Sequence, residues 1–399
     1  MRSLYTLILN VFQLGIFFLS FLIPRKRGVW VFGAWEGKKF ADNPRSLYEH
    51  VAANEVDLTP IWIAKSKHLC AELKRQGVRV YYYLSLKGLW YQLRADVVFF
   101  SHSHSVDLLG GAVWRSKCRY QLWHGTPLKK ILKDDAAHVS KESRVYRRAA
   151  SFVFPWLKNQ WDFVSSPSDF YSKIIASAFG STPVVSGYPR NDAILPVAYK
   201  GGVCKVTNIM YMPTFRGDAG ASNESNGLMQ EVLTLAGFDV ARLDDACEAM
   251  GVELHIRLHP VNKLNASLSR EIQLSRHLHI QDGSVDFYRA INDVDLLISD
   301  YSSVIFDFLL TGRPVIMAAF DLASYIEKSR ALYFSYEGMT LTRDVLCWDD
   351  VMSHVSSFIS AGFSSEYAER YKALRDLTNK YGPGGASARI VTELRSIGF

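Results

Sequence analysis

Two doubly wound α/β domains are predicted for this chain. Three observations carry the prediction. The first is length: 399 residues exceed what one ordinary core holds and suit two domains of similar size. The second is a repeating alternation. Short β-branched and aromatic runs ("VWVFG", "LTPIWIA", "VRVYYYL", "DVVFFS", "RYQLW", "DFVSS", "PVVSG") are separated by helix-length mixed segments, and the series restarts after residue 200 with "VTNIMYMP", "VELHIRL", "HLHIQD", "VDLLIS" and "RPVIMAAF". Strands alternating with helices read as βαβ units and parallel sheets. The third is the break at "LPVAYKGGV", where Pro and a Gly pair interrupt both periods. The expected organisation is an apolar segment over 1–27, a first domain over 28–195 and a second over 204–399, whose tail forms two helices around a Pro/Gly loop.

The composition is that of a folded protein, 48% hydrophobic and 21% charged. Five scattered cysteines without CxxC spacing argue against a disulfide framework or a thiolate zinc site and fit a reducing compartment. The net charge is +7, and the window Arg115–Arg148 alone holds ten Lys/Arg against three Asp/Glu. Such a basic surface suits anionic lipid, a phosphate-rich substrate or nucleic acid, or is simply a solvated face; no nucleic-acid-binding module accompanies it. Leu4–Ile23 is nearly all apolar and is followed by "PRKRG". No small-residue cleavage site follows, so a signal peptide is not expected. A single span, an interfacial helix and a buried core helix are the remaining options; membrane association is favoured, with Arg25, Lys26 and Arg27 against anionic headgroups on the cytoplasmic side, and Asn10 and Gln13 weaken the span.

The chemistry gathers at predicted strand ends. In "CRYQLWHGTPLKK", Thr126 reads as an N-cap and Pro127 as the first residue of a helix. His124 and Gly125 then form the turn at the C-terminal end of a parallel strand, where open α/β sheets bind ligands, and Gly125 allows close backbone approach. In the second domain "NIMYMPTFRG" ends a strand with Thr214 and Arg216, "ELHIRLHP" with Arg257 and His259, and "DLLISDYSS" with Asp300 before a helix expected to start at Ser302 and Ser303. Arginines, hydroxyls and a helix N-terminus on one rim suit a phosphate or pyrophosphate ligand. P-loop and dinucleotide fingerprints are absent. Asp293-Val-Asp295 has DxD metal spacing but precedes its strand, and His102 with His104 lacks a carboxylate or cysteine partner to make a metal site.

Together "WHGTPLKKI", "GYPRND", "YMPTFRG", "RLHP" and "SDYSSVIFDF", with softer matches at "FADNPRSLYEH", "RPVIMAAFDL" and "GGASARIV", resemble the CDP-glycerol glycerophosphotransferase family of teichoic-acid priming and polymerising enzymes, over roughly residues 28 to 395. The resemblance implies a glycosyltransferase B-type fold of two Rossmann-like domains with an interdomain cleft, the first on the acceptor side and the second binding the CDP donor. It implies transfer of glycerol phosphate from CDP-glycerol to an acceptor hydroxyl with release of CMP, by a peripheral protein on the cytoplasmic face of the membrane whose acceptor is a polyprenyl-linked glycan or polyol phosphate. It carries the family's functional histidines onto His124 and His259, and its donor-phosphate residues onto Thr214, Arg216, Ser302 and Ser303; Gly125, Thr126, Pro189, Arg190, Asn191 and Asp192 fall in its other motifs. The family also contains ribitol-phosphate and capsule enzymes, so CDP-ribitol stands beside CDP-glycerol.

On this reading His124 is the general base and His259, Arg216, Ser302 and Ser303 hold the pyrophosphate. No cofactor is required, and metal dependence stays open. The alternatives are a nucleotide-sugar glycosyltransferase of the same fold and a non-catalytic, membrane-bound polyanion-binding protein.

Overall fold

The computed structural model describes residues 2–138, 149–158, 161–197, 204–216, 222–258, 262, 264–281, 283, 286–328 and 331–399. Residues group by contact into two units. The first comprises Met1–Gly125, Ile131–Asp192 and Gly384–Phe399, and the second Thr126–Lys130 with Ala193–Pro383. Helix Ala386–Ser396 therefore packs with the first unit, whereas the sequence expectation ran the second domain to the C-terminus.

Every strand run read from the sequence forms a strand. The first unit holds β1 Val29–Phe32, β2 Thr59–Ala64, β3 Val80–Tyr82, β4 Val97–Phe100, β5 Cys118–Gln121, β6 Phe163–Ser166 and β7 Thr182–Val185, in the order β3-β2-β1-β4-β5-β6-β7 with all pairs parallel. Both faces are covered, as parallel sheets require. Alternate residues feed opposite cores: Trp30, Phe32, Trp62 and Phe99 pack on one face, Val31, Ile61, Ile63 and Phe100 on the other. The first face is closed by α2 (Asp42–Asn54) through Leu47 and Val51 and by Ile390, Val391 and Leu394 of the last helix. The second is closed by Leu108–Val113 and by Ile16 of α1 (Arg2–Leu19).

In the second unit β8 Asn208–Met212, β9 Glu253–Ile256, β10 Leu278–Ile280, β11 Leu296–Ser299 and β12 Val315–Met317 form a parallel sheet ordered β10-β9-β8-β11-β12 around one core. Asp295 of the DxD triplet accepts the Thr207 and Asn208 amides at 3.0 Å, which pins the start of β8.

One local expectation fails. No helix begins at Pro127. Residues 126–130 stay extended and pair antiparallel with 331–333, through Lys130 N–H to Ala331 O at 2.8 Å and Tyr333 N–H to Leu128 O at 2.9 Å. Leu128 is buried in the second unit's core, and that burial outweighs the local Thr-Pro helix signal. Among the described residues, no helix is long and apolar enough to cross a membrane.

Gly312 closes the turn after Leu309–Thr311 at φ 76, and a Cβ there would lie 2.3 Å from Val197 O. Gly312→Ala should destabilise the protein by more than the roughly 1–2 kcal/mol that a left-handed L-residue costs. Gly382→Ala, in open space, should be neutral. Thermal unfolding of the two variants beside wild type checks the contrast.

Candidate active site

Both sheets reverse strand order once, between β1 and β4 in the first and between β8 and β11 in the second. Segments leaving the carboxyl ends of the two strands diverge at such a point, which opens a crevice where α/β proteins bind ligands. Most of the predicted residues that the structure describes lie at strand ends at or next to these two points.

At the first, His124 follows β5 and is only partly exposed. Its ring lies 4.7 Å from that of His102 in a stacked arrangement and 3.9 Å from Trp123. His124 Nδ1 is 3.0 Å from Ser101 O. A carbonyl can only accept, so Nδ1 carries the proton and Nε2 holds the lone pair. Burial foremost, then the adjacent His102, pulls His124 down to about 4 from its usual 6.5, against a weaker opposing pull from Asp42. The imidazole is therefore neutral at neutral pH, with one nitrogen able to accept a proton.

A buried brace sets the position of this turn. Arg190, 4% exposed, donates through Nη1 to Asp42 Oδ1 at 2.9 Å and to His124 O at 2.8 Å. Asn43 donates to Leu122 O and Trp123 O at 3.2 and 3.0 Å, and its Oδ1 accepts the Arg190 amide at 3.1 Å. "FADNP", "LWHG" and "YPRND" are thus one construction in three pieces. Pro189, Arg190 and Asn191 lie in the turn Pro189–Ala193; Asp192 accepts the Ala386 and Ser387 amides at 2.7 and 2.9 Å and so caps the last helix, which accounts for "GGASAR". Backbone strain concentrates here. Among the described residues six non-glycines have positive φ, and Trp35, Glu36, Asp42 and Trp123 belong to this rim.

Sequence reasoning missed several members of the rim. Trp35, after β1, sets its ring 5.0 Å from His102 and 6.0 Å from His124. Asp107, fully buried, accepts the amides of Glu36, Ser101 and His102, each at 2.8 Å, and ties the β1 and β4 ends together. Lys65, after β2, is lowered to about 8, chiefly by burial. The signal for Trp35 and Lys65 was their place just after a strand; Asp107, at the end of the short helix His104–Asp107, carried none. His102 and His104 part company: His102 stacks on His124, while His104 is buried beside Phe100 and Trp114.

At the second switch point Asp300, after β11, accepts the Thr214 amide at 2.8 Å and the Thr214 hydroxyl. Arg216, 6% exposed, donates to Asp300 Oδ2 at 2.7 Å, to both oxygens of Asp321 at 2.7 and 2.8 Å, and to Thr214 O at 2.7 Å. Its guanidinium also lies over the stacked rings of Tyr301 and Tyr325, at 5.1 and 4.9 Å. With two carboxylates on it, Arg216 is held as a strut for the loop after β8. Ser302 and Ser303 are half-buried at the start of helix Val304–Phe308, and the Ser303 side chain makes no cap hydrogen bond. The Arg257 amide donates to Tyr211 O at 2.9 Å, and its guanidinium reaches Gly283 O at 3.4 Å. The Thr126 hydroxyl is buried with no hydrogen-bond partner, and Lys129 sits 4.6 Å over the Tyr325 ring. His259 lies outside the described residues, as does part of the basic window, residues 139–148. Among the described residues, no group of three or more His, Cys, Asp or Glu is arranged to hold a metal ion.

Two Rossmann-like parallel sheets, each with polar side chains massed at its strand ends, define a protein of the glycosyltransferase B-type fold. The chain belongs to the CDP-glycerol:poly(glycerophosphate) glycerophosphotransferase family, which it matches over residues 16–396. It is 28% identical over 343 residues to the teichoic acid poly(glycerol phosphate) polymerase of Bacillus subtilis strain 168, a match covering 81% of this chain but 43% of that protein, less than half its length. It is also 28% identical over 339 residues to the teichoic acid glycerol-phosphate transferase of Staphylococcus aureus NCTC 8325, covering 79% of each. The teichoic acid ribitol-phosphate polymerase TarK of the same organism is 30% identical over 253 residues, covering 58% of this chain and 44% of that one. In fold, the chain is similar to the wall teichoic acid polymerase TagF, with TM-score 0.69 at 20% identity over 94% of this chain and 90% of that one.

Arg190→Met would leave Asp42 buried without its counter-ion, and breaking such a pair should cost about 3–5 kcal/mol in chemical denaturation. For His124 the sign follows from linkage. Its folded value lies below its unfolded one, so between about 6.5 and about 4 the unfolded chain binds a proton that the native chain does not. Its contribution is flat above pH 6.5 and increasingly destabilising as pH falls toward 4. His124→Asn should lose less stability than wild type between pH 7 and pH 4.5, measured by urea unfolding at both.

Proposed function

We propose that this protein transfers an alditol phosphate, glycerol phosphate first among the choices, from a CDP-alditol to a hydroxyl of a membrane-linked glycan or polyol-phosphate acceptor. CMP is released, and the protein works as a peripheral protein on the cytoplasmic face of a membrane. The observation that carries the reading is His124: a strand-end imidazole with its tautomer set by Ser101 and its backbone braced by Arg190, within the "WHGTP" motif.

The acceptor O–H gives its proton to His124 Nε2, and its oxygen attacks the β-phosphorus. The bond from that phosphorus to the bridging oxygen breaks in line, and CMP departs with the electron pair. A base near 4 is weak, but the anionic pyrophosphate of the bound donor favours the imidazolium and raises its pKa toward the working range. Ser302 and Ser303 are the proposed donors to the pyrophosphate, with His259 and Arg257 as further candidates; Thr214, whose amide and hydroxyl both donate to Asp300, holds the loop after β8 in place. Arg216, neutralised by Asp300 and Asp321, acts by positioning Thr214. Phosphoryl transfer asks mainly for such positioning and charge stabilisation.

Purified protein with membranes is given CDP-glycerol, CDP-ribitol and UDP-glucose in parallel, and nucleotide release is followed. CMP release from one CDP-alditol is expected. His124→Ala should lower turnover by about 10²–10⁴-fold with donor affinity little changed. Full turnover in that variant removes His124 from the mechanism, and release of UDP replaces the donor class.

A further inference from the structure

His102 stands beside the proposed base and has no part in the mechanism so far. The two rings are stacked, 4.7 Å apart and 18° from parallel. Both are tethered to Ser101. His124 Nδ1 donates to the Ser101 carbonyl at 3.0 Å, and His102 Nδ1 lies 2.9 Å from the Ser101 hydroxyl. That hydroxyl accepts the Trp35 amide at 3.1 Å and donates to Asp107 Oδ2 at 3.3 Å, a carboxylate oxygen that can only accept. Its one hydrogen therefore goes to Asp107, so His102 Nδ1 is the donor and carries a proton. The two nitrogens of an imidazole face away from each other, so both Nε2 atoms point away from Ser101. Neither has a hydrogen-bond partner among the described residues, and the His102 side chain is 30% exposed.

The two rings differ in what stands behind them. His124 faces a carbonyl and is kept neutral, by burial first and then by the charge of His102. His102 Nδ1 has the fully buried Asp107 carboxylate 3.7 Å away, and Glu36, on the turn after β1, is a second acidic group that feels its charge. An imidazole backed by a carboxylate can carry its second proton on Nε2 and offer it to an anion. Lys39, 5.6 Å over the Trp35 ring that meets His102 edge-on, and Lys65, after β2, add cations to the same rim. A neutral imidazole beside a cationic one can act on a hydroxyl and on an anion at once.

We propose that His102 reads a phosphodiester on the acceptor: its Nε2–H donates to a phosphate oxygen next to the hydroxyl whose proton His124 Nε2 accepts. His102 is then a specificity-determining residue, favouring a phosphate-bearing acceptor over a neutral glycan. The inference rests on the proposed function for the identity of that hydroxyl.

Glycerophosphoglycerol, a phosphodiester flanked by hydroxyls, is the probe, with glycerol as the neutral control. Calorimetry on the full chain follows binding without requiring turnover. Wild type should bind the diester and not glycerol, more tightly at pH 5.5 than at pH 7.5, both below the value of about 8 to which burial lowers Lys65. An asparagine amide nitrogen replaces Nδ1 and a glutamine one replaces Nε2. His102→Asn should therefore keep the Ser101 contact and lose affinity by roughly 10- to 100-fold, the range for a hydrogen bond to a charged group. His102→Gln should keep more of the affinity and lose its pH dependence, since an amide does not titrate. In the CMP-release assay His102→Asn should raise the KM for a phosphate-bearing acceptor more than it lowers kcat. Diester binding without CMP release from wild type sinks the transferase reading and leaves this one standing. Absence of diester binding by wild type at pH 5.5 overturns the phosphate ligand. Wild-type affinity in the Asn variant, or wild-type pH dependence in the Gln variant, overturns the role of His102. Equal loss in both variants with a lowered unfolding temperature assigns His102 to packing alone.

Discussion

A buried guanidinium organises the rim that carries His124. Arg190 carries a permanent charge in a place that water does not reach, and only a counter-ion and several carbonyls make that tolerable. Asp42, at the start of α2, supplies the charge, and the His124 carbonyl supplies one acceptor. Three chain segments far apart in sequence must meet for Arg190 to be satisfied, and the imidazole is placed as a result. The left-handed backbone at Asp42 and Trp123 is held by the same contacts, strain that an isolated loop would relax.

The second unit repeats the solution with a different grip. Arg216 is held by Asp300 and Asp321 and lies over two stacked tyrosines, so the loop after β8 is joined to the end of β11 across the switch point. Each unit thus uses one buried arginine to brace turns at the carboxyl ends of its strands. The Ser302 and Ser303 hydroxyls and the His124 imidazole on neighbouring turns are the groups proposed to meet a ligand. The division suits phosphoryl transfer, where fixed dipoles and positioned groups do more than covalent chemistry. Free arginines on that rim would bind phosphate more tightly in the ground state as well, which does not by itself speed the reaction.

The fold was legible because parallel strands buried on both faces are written as continuous apolar runs. All twelve described strands fall on runs such as "VWVF", "DVVFF" and "VDLLIS". The rims were legible because strand ends carry the polar exceptions to those runs: His124, Thr214, Arg216, Asp300. What each exception does was not legible. Arg216 reads as a phosphate ligand until Asp321, 105 positions away, is seen on its Nε. "SHSH" does not tell that one of its rings stacks on His124 while the other turns into the core.

By itself, then, the sequence determined the two parallel sheets, their covering helices, the strand-end placement of the chemistry and the family, since these follow from local period and short motifs. The tertiary structure decided three matters that local period does not encode. Residues 126–130 left the helix their Thr-Pro pair promises, because Leu128 gains more by burial in the second unit. The last helix joined the first unit, because Asp192 caps it and Ile390 and Leu394 fill the face beside α2. Helix α1 turned its polar stripe inward, because Gly111 and Trp156 offer it hydrogen bonds that a bilayer does not.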